Sequence, residues 1–132
     1  MTKNILIVED DVDCRSQLDM QLQRAGYKVK SAFDAPGATE AFGAQRPDLA
    51  IVDLMLEHMD DGFVLCHRFK KMDAGVPIIL MTAVTRETGM NFDVQTDEER
   101  NWIKADALLH KPFRFEVLHA EIQRLMKAGG DA

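Results

Sequence analysis

The sequence predicts an α/β protein in which a doubly wound parallel sheet carries helices on both faces. Short apolar runs alternate with amphipathic stretches along all 132 residues, and no repeat, low-complexity segment or linker interrupts them. Three of the runs are apolar almost throughout, which is typical of parallel strands covered on both faces. The order of these runs is β-α repeated five times in one domain, residues 1–132. Strands that alternate with helices need right-handed crossovers, which place the strands in a parallel sheet with helices on both faces.

Five short runs are the candidate strands. They cover residues 4–8, 28–32, 49–52, 78–81 and 107–109. Runs of this length between polar residues are typical of strands. The first run is also far too short for a secretory signal, and acidic residues follow it at once.

The stretches between these runs carry apolar residues at helical spacing. Cys14, Leu18 and Leu22 form a stripe on a first helix, which we expect Gly26 to end as a left-handed cap. The other candidate helices are marked by Ala38, Ala41 and Phe42 after Pro36, by Phe63, Cys66 and Phe69, by Trp102 and Ile103 behind a capping box of Thr96 and Glu99, and by Leu118, Ile122 and Leu125. Each stripe gives its helix one apolar face for packing on the sheet.

Composition argues against several classes of function. The formal charge of −6 and the pI near 5.1 do not fit direct nucleic-acid binding, which needs a clustered basic face. No apolar segment is long enough to span a bilayer, so no membrane role is expected. Cys14 and Cys66 lack metal-site or redox spacing, and we interpret them as reduced, buried, apolar residues. These features fit a cytoplasmic domain whose output lies in another molecule.

Acidic residues follow the first and third predicted strands. Glu9, Asp10 and Asp11 follow the first, and Asp53 follows the third. Ligands of such sheets bind at the carboxyl ends of the strands, where the strand order reverses. Glu9, Asp10 and Asp53 are therefore expected to converge, which like charges tolerate only beside a cation. We predict a Mg²⁺ ion there, with a main-chain carbonyl as a further ligand, and we interpret Asp11 as the N-cap of the first helix.

Three strand-end residues together supply what phosphoryl transfer to a carboxylate needs. Asp53 can act as a nucleophile on phosphorus. Thr82, after the fourth strand, can donate a hydrogen bond to a phosphoryl oxygen, and Lys111, after the fifth, can neutralise developing charge. Alone, each has a plainer interpretation as a turn residue, a strand-end hydroxyl or a surface charge. Their combination favours a magnesium-assisted transfer.

The strand-end motifs resemble those of two-component response-regulator receiver domains. The motifs are Ile7-Val-Glu-Asp-Asp11, Val52-Asp-Leu-Met-Leu56, Leu80-Met-Thr-Ala83 and Lys111-Pro-Phe113. Each is weak alone, but all four in this order are specific, and the resemblance covers nearly the whole chain. It implies a (βα)5 flavodoxin-like fold with strand order 2-1-3-4-5.

The resemblance also implies which residues bind the metal and the phosphoryl group. Asp53 is the phosphoacceptor and, with Asp10, a carboxylate ligand of Mg²⁺, while Glu9 assists through water. Met55 offers its main-chain carbonyl to the metal. Thr82 binds the phosphoryl group. By the same resemblance, Lys111 contacts both the acceptor and the phosphoryl group, and the Lys111-Pro112 peptide bond is cis.

Partners follow from the same resemblance. The phosphoryl donor is a histidine kinase or a phosphotransfer protein, which meets part of the first helix and the loops around the site. A receiver catalyses only its own phosphorylation and dephosphorylation, so no enzyme acting on other substrates is expected. The downstream target is a protein that the sequence does not name, and the chain is expected to be a monomer or a weak, phosphorylation-dependent dimer.

Three features depart from the family pattern. Receivers usually carry an aromatic residue three places before the lysine, and its rotamer reports phosphorylation, but this chain has Leu108. Residues 84–95 lengthen the connection after the fourth strand, which predicts a long loop that is either a switch element or a tolerated insertion. After Asp53, residues 57–58 and a doubled aspartate replace the usual turn, so we expect an altered loop and intact chemistry.

Three other functions compete with this interpretation. A phosphatase of the haloacid-dehalogenase type needs a second aspartate two residues after the first, where this chain has Met55. A flavodoxin-like carrier needs a phosphate-cradling loop after the first strand, where acidic residues 9–11 would repel phosphate. A receiver-shaped interaction module that never carries phosphate is disfavoured by the intact acids, Thr82 and Lys111, although the sequence leaves it open.

Overall fold

A computed structural model of the chain describes residues 3–54, 61–82 and 105–128. Its strands are β1 (Asn4–Val8), β2 (Lys28–Ala32), β3 (Leu49–Asp53), β4 (Ile78–Thr82) and β5 (Ala107–His110). Its helices are α1 (Val12–Arg24), α2 (Ala35–Ala44), α3 (Asp61–Met72) and α4 (Phe115–Ala128). None of these four helices has the length and apolar character needed to cross a membrane. The helix predicted to open at Thr96 and the loop predicted for residues 84–95 lie outside the described residues.

The five strands form one parallel sheet in the order β2-β1-β3-β4-β5. This order confirms the predicted fold class and topology. The strand order reverses at β1, because the chain first builds outward to β2 and then returns to the other side of β1 with β3. In the register, Val8 lies opposite Val52, and Asp53 lies opposite Met81. The residues that follow β1 and those that end β3 are therefore neighbours at the switch point, where ligands of such sheets bind.

Each face of the sheet buries its own apolar core, because successive strand residues point to opposite faces. On one face, α1 and α4 contribute Leu18, Leu22, Leu118, Ile122 and Leu125 to a core with Ile5, Ile7, Leu49, Ile51, Ile79 and Met81. On the other face, α2 and α3 contribute Ala38, Ala41, Phe42, Leu65, Cys66 and Phe69 to a core with Leu6, Val8, Ala50, Val52, Ile78 and Leu80. The rings of Phe42 and Phe69 stack with centroids 4.3 Å apart. The interior strands β3 and β4 are buried throughout, as their apolar sequences predict.

Capping determines where α1 begins and ends. The carboxylate of Asp11 accepts hydrogen bonds from two main-chain N–H groups of the first turn, which confirms its predicted role as N-cap. Gly26 has a φ of 100°, and the N–H of Tyr27 donates to the carbonyl of Leu22 at 3.1 Å. This pattern is a Schellman motif, so Gly26 ends the helix as predicted.

Three strands extend one residue beyond the predicted apolar runs. The last residues of β3, β4 and β5 are Asp53, Thr82 and His110. Their side chains are polar, but the main chain keeps its register, with Asp53 opposite Met81 and Thr82 opposite His110. The polar residues predicted to follow the sheet are thus held within it.

Candidate functional site

Three carboxylates converge at the carboxyl end of the sheet. Glu9 and Asp10 follow β1, Asp53 ends β3, and each offers a ligand atom within 4.8 Å of those of the other two. Glu9 and Asp53 are buried, whereas Asp10 is exposed. Several carboxylate oxygens at this spacing suit a hard divalent cation, so the residues present fit the predicted Mg²⁺. Met55, predicted to add a carbonyl ligand, lies outside the described residues.

Lys111 brings a positive charge into the same pocket. It follows β5, and its Nζ donates to Oε1 of Glu9 at 2.5 Å and to Oδ2 of Asp53 at 3.0 Å. The Lys111-Pro112 peptide bond is cis, as the resemblance implied. The ammonium therefore contacts the expected acceptor, but its nearer partner is Glu9, which the sequence assigned only to the metal.

Burial and hydrogen bonding divide the charge unevenly between Glu9 and Asp53. Burial raises the pKa of Asp53 to about 7, and the hydrogen-bonded Glu9 carboxylate adds to the rise. Burial also opposes ionisation of Glu9, but hydrogen bonds with Asp53 and Lys111 outweigh it and lower the pKa of Glu9. Burial disfavours the Lys111 ammonium as well, yet its two carboxylate partners raise its pKa overall. The pocket therefore favours charged forms of Glu9 and Lys111, and Asp53 keeps its proton up to a higher pH than an ordinary aspartate does.

The end of β4 lies between Asp53, which ends β3, and Lys111, which follows β5. Thr82 is the last residue of β4 and is fully buried. Its carbonyl accepts from the N–H of Lys111 at 2.7 Å, and the carbonyl of Met81 accepts from the N–H of Leu54 at 2.7 Å. The main chain directly after Asp53 and the main chain of Lys111 are thus both fixed to this strand.

The beginning of α1 supplies two contacts that the sequence did not indicate. Cys14 lies beside the Glu9 carboxylate, and burial together with that carboxylate raises the pKa of the Cys14 thiol to about 12. Cys14 packs against the core but is only half-buried, so the prediction of burial is wrong for Cys14, whereas Cys66 is fully buried as predicted. The Nη1 of Arg15 donates to the main-chain oxygen of Glu9 at 2.7 Å. Both contacts join the beginning of α1 to Glu9 after β1. Hydrophobic periodicity does not indicate such contacts, because it reports only which side chains face the core.

The fold and the acidic pocket are those of a receiver module, and sequence comparison agrees. The family model described as the response regulator receiver domain matches residues 5–123. The chain therefore belongs to the response-regulator receiver family of two-component signalling. Receivers are not a conventional enzyme family, and they interact in general with histidine kinases.

Curated relatives include transcriptional regulators from distant bacteria. The transcriptional regulatory protein PhoP of Escherichia coli (strain K12) is 37% identical over 123 residues, which cover 93% of this chain and 52% of PhoP. The transcriptional regulatory protein AfsQ1 of Streptomyces coelicolor is 34% identical over 126 residues, which cover 96% of this chain and 52% of AfsQ1. The chain thus spans about half the length of the curated relatives it matches.

Solved structures share the fold. A two-component response regulator from Clostridium difficile superposes with a TM-score of 0.82 at 22% identity, covering 98% of this chain and 100% of that chain. The response regulator TrrA from Thermotoga maritima, in complex with Mg²⁺-BeF, has a TM-score of 0.76 at 27% identity, covering 94% of this chain and 99% of TrrA. The first match shows the fold alone, and the second adds a more similar sequence.

Proposed function

We propose that this chain is a phosphorylation-dependent switch in which Asp53 accepts a phosphoryl group in a Mg²⁺-dependent reaction. The proposed donor is the phosphohistidine of a histidine kinase or a phosphotransfer protein. The convergence of Glu9, Asp10 and Asp53 within 4.8 Å carries this proposal, with the Lys111 ammonium 3.0 Å from Asp53. Membership of the receiver family and the similarity to TrrA, whose structure contains Mg²⁺-BeF, support it.

The proposed transfer needs an ionised Asp53. One of its carboxylate oxygens forms the new P–O bond while the P–N bond to the donor imidazole breaks. The electron pair of that bond stays on the imidazole nitrogen, which then takes a proton from solvent. We assign Lys111 the neutralisation of charge on the transferred group, and Thr82 the donation of its hydroxyl to a phosphoryl oxygen, since Thr82 ends the strand between those of Asp53 and Lys111.

The proposed metal ligands are oxygen atoms throughout. Asp10 and Asp53 would bind Mg²⁺ directly, Glu9 through a water, and Met55 through its main-chain carbonyl. When bound, Mg²⁺ neutralises the crowded carboxylates and the phosphoryl oxygens. Before Mg²⁺ binds, the ion pair with Lys111 favours the charged form of Glu9.

The switch acts on other proteins in this proposal. Phosphorylation of Asp53 changes the affinity of a monomer or weak dimer for a downstream protein, with no direct nucleic-acid contact. The chain catalyses only its own phosphorylation and dephosphorylation. Both cysteines are free thiols, which supports the proposed cytoplasmic location, because reducing compartments keep thiols unpaired.

Mass spectrometry after incubation with acetyl phosphate and Mg²⁺ tests the acceptor. We expect one phosphoryl adduct on the wild type and on Asp13→Asn, which alters an exposed aspartate of α1. We expect none on Asp53→Asn, and none on the wild type in excess chelator. An adduct that persists in Asp53→Asn, or that forms equally with chelator, contradicts the proposal.

A further inference from the structure

We propose that Arg15 is a positioning residue for the acidic pocket, because its guanidinium fixes the main-chain carbonyl of Glu9 and with it the turn that carries Asp10. This inference rests on the proposed function, since it concerns the same Mg²⁺ site. The Nη1 of Arg15 lies 2.7 Å from the Glu9 carbonyl oxygen. Its own N–H closes the beginning of α1 on the carbonyl of Asp11 at 2.9 Å. Arg15 thus reaches back from the helix to the residue that leaves the strand.

The geometry of Glu9 determines where Asp10 goes. The N–H of Glu9 donates to the carbonyl of Ala32 at 3.0 Å, which continues the pairing of β1 with β2 for one residue beyond the strand. Beyond this bond the chain leaves the sheet, and the carbonyl of Glu9 is the next main-chain group that needs a partner. Arg15 provides that partner, so both main-chain groups of Glu9 are fixed just before Asp10. Groups that orient metal ligands in this way commonly set the affinity of a metal site.

Phe33 restricts the guanidinium of Arg15. The Cζ of Arg15 lies 5.9 Å from the centroid of the Phe33 ring, within the range of a cation–π contact. Phe33 follows β2 and is 61% exposed, although large aromatic side chains are usually buried to a greater extent. A guanidinium that already contacts a ring loses less further freedom when it donates a hydrogen bond. The donor is therefore held in place before any metal ion binds.

Removal of Arg15 should change the Mg²⁺ affinity in opposite directions for a positioning role and for a purely electrostatic role. Arg15 is a cation close to an acidic pocket, so a purely electrostatic role predicts that its removal tightens Mg²⁺ binding. A positioning role predicts the opposite, because Asp10 would lose its defined direction. Partners that orient metal ligands typically change affinity by about tenfold or more when removed.

Isothermal titration of the full chain with MgCl₂ tests the inference. Arg15→Met keeps an apolar stem and removes the donor, whereas Arg24→Met removes the same charge from the last turn of α1. We expect the Kd for Mg²⁺ to rise about tenfold in Arg15→Met and to stay unchanged in Arg24→Met. Phe33→Leu, which keeps the donor but removes the ring, is expected to raise the Kd by about threefold. An unchanged or lower Kd in Arg15→Met overturns the inference.

The same titration separates this inference from the proposed function. If the wild type binds no Mg²⁺, the proposed function fails and the inference fails with it. If the wild type and Arg15→Met bind Mg²⁺ equally, the inference alone fails. Circular dichroism and urea midpoints establish that each variant is folded. Should Arg15→Met not fold, Phe33→Leu decides the matter, and a wild-type Kd in that variant overturns the inference.

Discussion

In the acidic pocket, the protonation of Glu9 and of Asp53 depends on burial and on contact with Lys111. Two carboxylates, Glu9 and Asp53, contact the same ammonium of Lys111, and the shorter contact belongs to Glu9. The sequence could identify these residues, because each stands at a strand end. It could not show that Glu9 is the nearer partner of Lys111, nor that Cys14 and Arg15 contact Glu9, since these relations depend on side-chain directions at the beginning of α1.

Binding of Mg²⁺ should displace a proton from Asp53. Because the pKa of Asp53 is raised to about 7, the carboxyl is protonated below that pH, and a metal ion must compete with the proton. We expect Mg²⁺ affinity to rise with pH up to about 7 and to level off above it. Titration calorimetry in buffers of different ionisation enthalpy measures the protons released. In Asp53→Asn the pH dependence should largely vanish, and a wild-type affinity that is flat from acid to neutral pH contradicts this expectation.

Removal of the Lys111 ammonium should destabilise the metal-free fold. Glu9 is fully buried, and Lys111 is its ion-pair partner, so Lys111→Met leaves a buried negative charge uncompensated. We expect the free energy of unfolding to fall by about 3 kcal/mol in the presence of chelator. Lys71→Met, at an exposed lysine of α3, should change it by less than about 0.5 kcal/mol. Urea unfolding measures both, and equal losses in the two variants would show that the pocket does not need this charge.

Among the secondary-structure elements, α3 fixes the main chain at Leu54, directly after Asp53. The N–H of Gly62 donates to the carbonyl of Leu54 at 2.8 Å, so the beginning of α3 contacts the main chain just beyond Asp53, the proposed acceptor. A Cβ atom on Gly62 would overlap the backbone of Asp53 and Leu54. Only glycine fits this close approach, because the neighbouring atoms belong to buried main chain and cannot move aside.

Gly62→Ala should therefore impair both stability and phosphorylation. We expect a loss of about 2 kcal/mol in the free energy of unfolding, as for other overpacked sites, and slower adduct formation on Asp53. Gly43→Ala is a matched control on α2, since its Cβ would meet only the flexible end of Met72 at 3.5 Å. There we expect a gain of about 0.5 to 1 kcal/mol from helix propensity. Urea unfolding and the rate of reaction with acetyl phosphate measure the two effects, and a Gly62→Ala protein as stable as the wild type would contradict the close contact.

The elements themselves were largely predictable from the sequence, and their ends less so. Apolar runs locate β1, β3, β4 and β5, which helices cover on at least one face, whereas the edge strand β2 has a mixed sequence and is largely exposed. The predicted ends of β3, β4 and β5 each fall one residue short of the observed last residues, which are Asp53, Thr82 and His110. Hydrophobicity reports side-chain burial, whereas strand pairing is made by the main chain and continues under polar side chains. The sequence therefore predicts that Asp53 and Thr82 follow their strands, whereas each is the last residue of its strand.

For the whole molecule, the carboxyl group of Asp53 affects both the stability of the fold and the proposed function. Two apolar cores hold the sheet from both faces, while Asp53, at the carboxyl end of the middle strand β3, is 6% exposed and therefore poorly solvated. Retaining a proton on this group relieves the cost of burying its charge. A bound divalent cation relieves the same cost in another way, so pH and Mg²⁺ should act on the folding equilibrium through one residue.

The metal-free protein should lose stability as pH rises towards 7. The pKa of Asp53 is about 7 in the folded chain, above its ordinary value of 3.8. Between these values the native state keeps a proton that the unfolded chain has lost, so this contribution is complete below about pH 4 and is lost as pH rises through about 7. Relative to Asp53→Asn, the wild type in chelator should therefore weaken from about pH 5 to about pH 7.5.

Saturating Mg²⁺ should reduce the pH dependence of the wild-type stability relative to Asp53→Asn, since the bound ion favours ionised Asp53 across this pH range. Mg²⁺ at about 100 times its Kd should also add about 2.7 kcal/mol of stability. Urea unfolding across the pH range, with chelator and with Mg²⁺, provides the measurement. Wild-type and Asp53→Asn curves that run parallel in chelator would show that Asp53 has no raised pKa.

The contact between Lys111 and Glu9 joins positions 102 apart in the chain. During synthesis, the acids of the first strand leave the ribosome early, and their counter-charge emerges only after all five strands have been translated. A nascent or truncated copy that ends before Lys111 holds the negative groups without the cation that compensates them. The charge-compensated form of the acidic pocket can therefore assemble only after β5 and Lys111 have been translated.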